Sequence, residues 1–186
     1  MKTETRLLKE KAQSYGLNSL NNQELFALIG YKGEAQSFYS SSTFFALKEA
    51  IRRREVSEIK KISNSSDAYP YVSFLEGLDH EQFWCLYLKN NQVVIKNEFI
   101  SKGAIGSTVV DVRIIMKNCI ILGATKIILC HNHPSGELRA SNEDISITFK
   151  IKEAAKFMDI TVLDHLIIGN GANEKRYYSF AEDGIL

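Results

Sequence analysis

Three of the four histidines in this 186-residue chain fall between positions 131 and 165. Two of them, His131 and His133, stand two apart at the end of a short apolar run, Lys126–Cys130. In an extended backbone, residues i and i+2 point to the same side, so both imidazoles can converge on one point. Pro134, Ser135 and Gly136 then turn the chain. It returns in a helix opened by Ser141 or Asn142, whose first turn carries Asp144. Two imidazoles and one carboxylate oxygen, with a fourth position free, form the donor set of a catalytic zinc rather than a structural one. No Cys-x-x-Cys pair offers the closed alternative. The free position would hold a water whose pKa falls to about 7 on zinc. Such a water attacks an amide carbonyl if a carboxylate near the metal, but not bound to it, takes its proton. Each residue alone has an ordinary use: Asp144 suits the first turn of a helix, Ser141 suits an N-cap, and Cys130 alternates away from His131 into packing.

The elements around these residues alternate strand and helix patterns. Phe83–Leu88 is an apolar run of strand type, and Lys89–Gln92 reads as a hairpin turn in which Asn takes the positive φ. Val93–Ile100 follows as a strand containing Glu98. Asp111 caps a helix to about Leu122 that buries Ile114, Ile115, Cys119 and Ile120, and Gly123 ends it. The helix after Ser141 runs through Met158, Thr161–Ile168 is a strand, Gly169–Gly171 a turn, and Arg176–Phe180 a last short segment. The fold class expected is α/β, a mixed sheet flanked by helices. Residues 1–60 read differently, as a short helical region with stripes at Leu7–Tyr15, Leu25–Ile29 and Phe44–Ile51. A boundary is expected near residues 55–66, with a helix capped by Ser66 or Asp67 opening a second domain over 66–186.

Composition excludes several classes. A hydrophobic fraction of 45% with 24% charged residues is ordinary for a globular chain and rules out a disordered or low-complexity one. Three cysteines, an odd number, imply no disulfide framework, so a cytoplasmic setting is expected. The charged start MKTETRLLKEK lacks the apolar core of a secretory signal. No window approaches the roughly 18 apolar residues of a membrane span, so no membrane partner is expected. A net charge of +1 leaves no strong footprint for nucleic acid. The local exception is Arg52-Arg53-Arg54, which suits either a solvated helix face or a phosphate-binding patch.

His131-x-His133, seven residues, Ser141, two residues and Asp144 match the H-x-H-x(7)-S-x(2)-D signature of the JAB/MPN (JAMM) metalloproteases. The longer strings HNHPSG at 131–136, LDHLIIG at 163–169 and YYSFAEDG at 177–184 resemble the RadC-like branch of that superfamily. The resemblance covers residues 66–186. It implies a JAB/MPN core of the cytidine-deaminase-like kind and one Zn²⁺ per chain on His131, His133 and Asp144. It also implies that Ser141 steadies the tetrahedral intermediate and that an upstream Glu is general acid/base on the water. Glu98, five residues before Gly103, fits the place of that Glu. It is also the sole acidic residue between Glu81 and Asp111, and a solvated strand residue is its plainer reading. His165 suits either a hydrogen bond to a ligand or a satisfied interior position.

The chain departs from the RadC-like pattern in places. Val112-Arg113-Ile114 stands where Pro-Arg-Glu is common, and Ala140 stands where Pro often precedes the motif Ser. Arg6-Leu7-Leu8 and Asn22–Ile29 resemble the start of the family's N-terminal region. No G-x-G hairpin precedes Arg52, so the helix-hairpin-helix that would hold DNA is shortened. The resemblance thus implies a zinc-dependent peptidase or isopeptidase acting on a peptide or protein conjugate. A DNA repair or recombination-associated binding protein, with or without catalysis, is the alternative, and a catalytically silent scaffold the third. No feature sets an oligomeric state.

Overall fold

The computed structural model describes residues 61–103, 110–170 and 175–186, together with the isolated helical positions Ala27 and Leu47. The remaining residues of the expected N-terminal helices, the Arg52–Arg54 triplet and Gly171 lie outside the described residues. The chain divides into two compact units, Met1–Ile51 and Arg52–Leu186, and the second is described here.

Asn64 opens the first helix described in the second unit, α1 (Ser65–Val72), by accepting a hydrogen bond from the Asp67 amide at 3.0 Å. The cap is therefore two or three residues earlier than the Ser66 or Asp67 expected from sequence. Strands β1 (Gln82–Leu88) and β2 (Val94–Lys102) form an antiparallel hairpin. Its turn closes with Lys89 N donating to Val93 O at 2.9 Å. The residue with positive φ is Gln92, at 67°, and neither Asn90 nor Asn91 takes that conformation. Helix α2 (Val112–Leu122) is capped by Asp111 and ends at Gly123, whose φ of 62° suits glycine. Strand β3 (Lys126–Asn132), helix α3 (Asn142–Lys156) and strand β4 (Thr161–Ile168) make a βαβ unit, and β5 (Tyr177–Ser179) closes the sheet.

The sheet order is β2-β1-β3-β4-β5, with β3 and β4 parallel and the other pairs antiparallel. This is the mixed sheet flanked by helices that the sequence predicts. Alternation splits the core in two. One cluster joins Phe83, Cys85, Tyr87, Ile127 and Leu129 to α2 and α3 through Ile115, Met116, Cys119, Ile151 and Ala155. The other joins Leu86, Leu88, Ile128, Cys130, Leu166 and Ile168 to α1 through Ala68 and Val72. Strand β3 is central and buried on both faces, which is why its sequence is a continuous apolar run. On α2 the buried set is Ile115, Met116 and Cys119, whereas Ile114 and Ile120 are exposed, contrary to expectation. The adjacent pairs Ile114-Ile115 and Ile120-Ile121 let either stripe satisfy the helical period, and packing on the sheet selects one.

Candidate metal centre

The two histidines reach one face because the strand does not stop at Cys130. It continues through His131 to Asn132, and His133 N adds one more ladder bond, to Ile168 O at 2.9 Å. The chain then turns: Gly136 N donates to His133 O at 2.9 Å, and Gly136 has φ of 82°. A Cβ at Gly136 would lie 2.5 Å from Asn170 Nδ2, so both the turn and the close approach require glycine. Asp144 comes from the first turn of α3, held by a capping box. Ser141 Oγ accepts from Asp144 N at 3.1 Å, and Asp144 Oδ2 accepts from Ser141 N at 2.8 Å. Ser141 Oγ also donates to Asp144 Oδ2 at 2.7 Å.

These three pieces bring His131, His133 and Asp144 together, with donor atoms within 4.8 Å of one another. His131 Nε2 lies 3.0 Å from His133 Nε2 and 3.1 Å from Asp144 Oδ1, and His133 Nε2 lies 3.4 Å from Asp144 Oδ2. Donors bound to a tetrahedral zinc at 2.0–2.1 Å stand about 3.3 Å apart, so these closest approaches are of the size the ion needs. The chemistry of the set fits as well: two nitrogens, one oxygen and no thiolate. His131 is fully buried and Asp144 nearly so, while His133 is half-buried and opens the site to solvent.

The electrostatics follow from that burial. For Asp144, desolvation opposes ionisation. Hydrogen bonds from His131, His133 and Ser141 outweigh it and hold the carboxyl well below the usual range. Desolvation would lower His133, but the Asp144 and Glu137 hydrogen bonds and the charges of Asp144 and Glu81 raise it above its ordinary value. Burial, followed by the charge of His131, pushes His165 well below its ordinary value, so it is neutral.

The RadC-like JAB domain family matches residues 62–185. The chain is 44% identical over 177 residues to a UPF0758 protein of Flavobacterium johnsoniae, covering 94% of this chain and 75% of that protein. It is 34% identical to UPF0758 proteins of Clostridium acetobutylicum and Methanococcoides burtonii, each over 98% of this chain and 77% of the relative. The chain belongs to the RadC-like JAB family. Among the described residues of this JAB domain, no helix is long and apolar enough to cross a membrane.

The JAB domain places the remaining sequence-derived residues as follows. Ser141 stands at the site, but its one hydroxyl proton points at Asp144, so in this geometry it holds the carboxylate. Glu98 is not brought to the three. It pairs with Cys85, two residues along β1 from the Phe83–His131 pair, with β1 between it and β3. Its carboxylate accepts from Asn118 Nδ2 at 3.3 Å and lies 3.1 Å from Lys96 Nζ. Glu81, which sequence reasoning passed over, is a carboxylate near enough to His133 for its charge to act on the ring. It stands immediately before β1. Asn132, between the two histidines, ties it there: Asn132 Oδ1 accepts from Gln82 N at 2.8 Å, and Asn132 Nδ2 donates to His80 O at 3.1 Å. No local pattern marks Glu81; its place depends on the β1–β3 register. His165 lies behind the ligands, its Nε2 2.8 Å from His131 Nδ1.

Proposed function

We propose that this RadC-like JAB domain is a zinc-dependent hydrolase of amide bonds, a peptidase or isopeptidase, with one zinc ion on His131, His133 and Asp144. The observation that carries the proposal is the cluster itself: two imidazoles and a carboxylate whose ligand atoms, one from each residue, lie within 4.8 Å of one another, closed behind and open at His133. A zinc ion held there supplies Lewis-acid activation of water and of the carbonyl under attack. The chain's own residues do the rest. Asp144, held ionised, contributes the charge that keeps a divalent ion. Glu81 takes and returns the proton, because it is the acidic residue outside the ligand set whose charge acts on His133, and among the described residues its carboxylate has no hydrogen bond. Glu98 is occupied by Asn118 and Lys96 and braces β2 against α2. Ser141 orients Asp144, and a hydrogen bond from it to the tetrahedral oxygen requires its proton to swing away from the carboxylate.

The test is metal content by inductively coupled plasma mass spectrometry on untagged wild type and Asp144→Ala, followed by hydrolysis assays with peptides and protein conjugates. Near-stoichiometric zinc in the wild type, lost in the variant, is the expected result. A wild type that stays free of zinc after add-back removes the hydrolase reading.

A further inference from the structure

Behind the ligands, buried polar groups form a line whose protons can be counted. His165 is wholly buried between the rings of Phe180, at a centroid distance of 4.8 Å, and Phe83, at 5.4 Å. Its Nε2 faces His131 Nδ1 at 2.8 Å and its Nδ1 faces Thr148 Oγ1 at 2.6 Å. Thr148, also wholly buried, sits one helical turn after Asp144, and its Oγ1 lies 2.5 Å from the Asp144 carbonyl oxygen.

A carbonyl can only accept, and two oxygens this close repel unless a proton lies between them. Thr148 therefore donates its single hydroxyl proton to the Asp144 carbonyl, and toward His165 it can only accept. That puts the ring proton of His165 on Nδ1. Neither ring nitrogen meets a carboxylate among the described residues, and the ring lies between two phenyl groups, so it carries one proton and Nε2 is a bare lone pair. His131 must then donate from Nδ1, which makes Nε2, the nitrogen facing Asp144 and His133, the one whose lone pair a metal can take. The reverse order of protons would put a hydrogen on His131 Nε2, where a metal has to bind, and would leave Thr148 and the carbonyl unprotonated against each other.

We propose that Thr148 and His165 are positioning residues: a relay running from the backbone of one ligand, Asp144, to the ring of another, His131, that fixes the His131 tautomer for metal binding. His133 reaches the same tautomer by a shorter route, donating from Nδ1 to the Glu137 carbonyl at 2.8 Å. Since its own lone pair is spent on His131, His165 is excluded from the ligand set even though it is a histidine in contact with one. The relay's role in metal affinity rests on the zinc reading above, whereas the tautomer itself does not.

The experiment has two arms on the full chain. In the first, the metal-free wild type carrying ¹⁵N-labelled histidine is examined by long-range ¹H–¹⁵N NMR at pH 8. His131 and His165 are both expected to carry a proton on Nδ1, and a His131 without a proton on Nδ1 overturns the relay whether or not the protein binds zinc. In the second, zinc affinity is measured by chelator competition. Loss of a hydrogen-bond partner to a ligating His costs about 10–100-fold in affinity, and His165→Phe and Thr148→Val are each expected to fall in that range. His165→Gln, whose amide can accept from His131 and donate to Thr148, and Thr148→Ser are expected to recover most of it. Wild-type affinity in folded His165→Phe or Thr148→Val overturns the proposal. Wild type that binds no zinc but shows the Nδ1–H form of His131 keeps the relay and defeats the hydrolase reading alone.

Discussion

Asp144 and Glu81 are both carboxylates whose charge acts on His133, yet their surroundings assign them opposite work. Asp144 is held by two imidazoles and by the Ser141 amide and hydroxyl, which commits it to the charged form and to ligation. Glu81 has no such partners among the described residues, and in the proposed function its lone pairs are what take the proton. We expect Glu81→Gln to retain zinc and lose turnover by at least about 10²-fold, the usual range for a general base. Glu98→Gln should leave turnover close to wild type. Steady-state assays with zinc quantified on the same samples check both, and the reverse pattern would return the base to Glu98. The contrast marks how far residues alone can be read. His131, His133, Ser141 and Asp144 are legible because their spacing maps onto one strand end and one helix start. Glu81 is fifty residues upstream of His131 and becomes visible only through the pairing of Phe83 with His131.

At the level of elements, the centre belongs to the βαβ unit β3–α3–β4, with β1 supplying the neighbouring edge. One irregularity decides what that unit can do. Val162 packs with the α2–α3 cluster, whereas Leu166 and Ile168 pack with the α1 cluster, although all three positions have the same parity. The register shift between Ile127 and Ile128 accounts for this, pairing Ile127 with Val162 but Ile128 with Asp164. The shift turns His165 onto the face of His131 and sends Asp164 to the other face. There Asp164 accepts from Ser65 Oγ, Ser179 Oγ, His165 N and Ala181 N at 2.7–2.9 Å. Simple alternation along Thr161–Ile168 cannot reveal this, which is why both readings of His165 stood open in the sequence. The turn at Gly136 is the other decisive element. Gly136→Ala meets positive φ and the Asn170 side chain together, so a loss of more than about 1 kcal/mol is expected, with weakened zinc binding because His133 shifts. Gly123→Ala, at φ of 62° with open space around it, should cost a similar amount of stability and leave zinc binding alone. Urea unfolding and chelator competition on the two variants check the pair.

For the molecule as a whole, the buried histidine makes stability depend on pH with a definite sign. His165 stays neutral when folded but takes up a proton in the unfolded chain below about pH 6.5. The unfolded state then binds more protons, so this contribution to stability falls as pH drops, at up to about 1.4 kcal/mol per pH unit. His133, raised by its partners, works in the other sense: its contribution is complete below about pH 6.5 and is lost as pH rises through its folded value. Metal-free His165→Gln should therefore lose less stability than wild type between pH 6.5 and 5.5, measured by urea unfolding at both. An equal loss in the two proteins would mean that His165 is not held neutral. The architecture that sets these terms was largely legible, since alternating strand and helix patterns define the mixed sheet. The order of its strands was not, because pairing partners leave no periodic trace. The placement of the ligands also has a kinetic side. His131 is anchored in a central strand buried on both faces, and Asp144 in a capped helix, whereas His133 hangs on a tight turn at the solvent edge. Under the proposed function, detachment of an ion would begin at His133 and need only that turn to open, so the lifetime of a bound metal would be set locally and would be short even if global unfolding were slow.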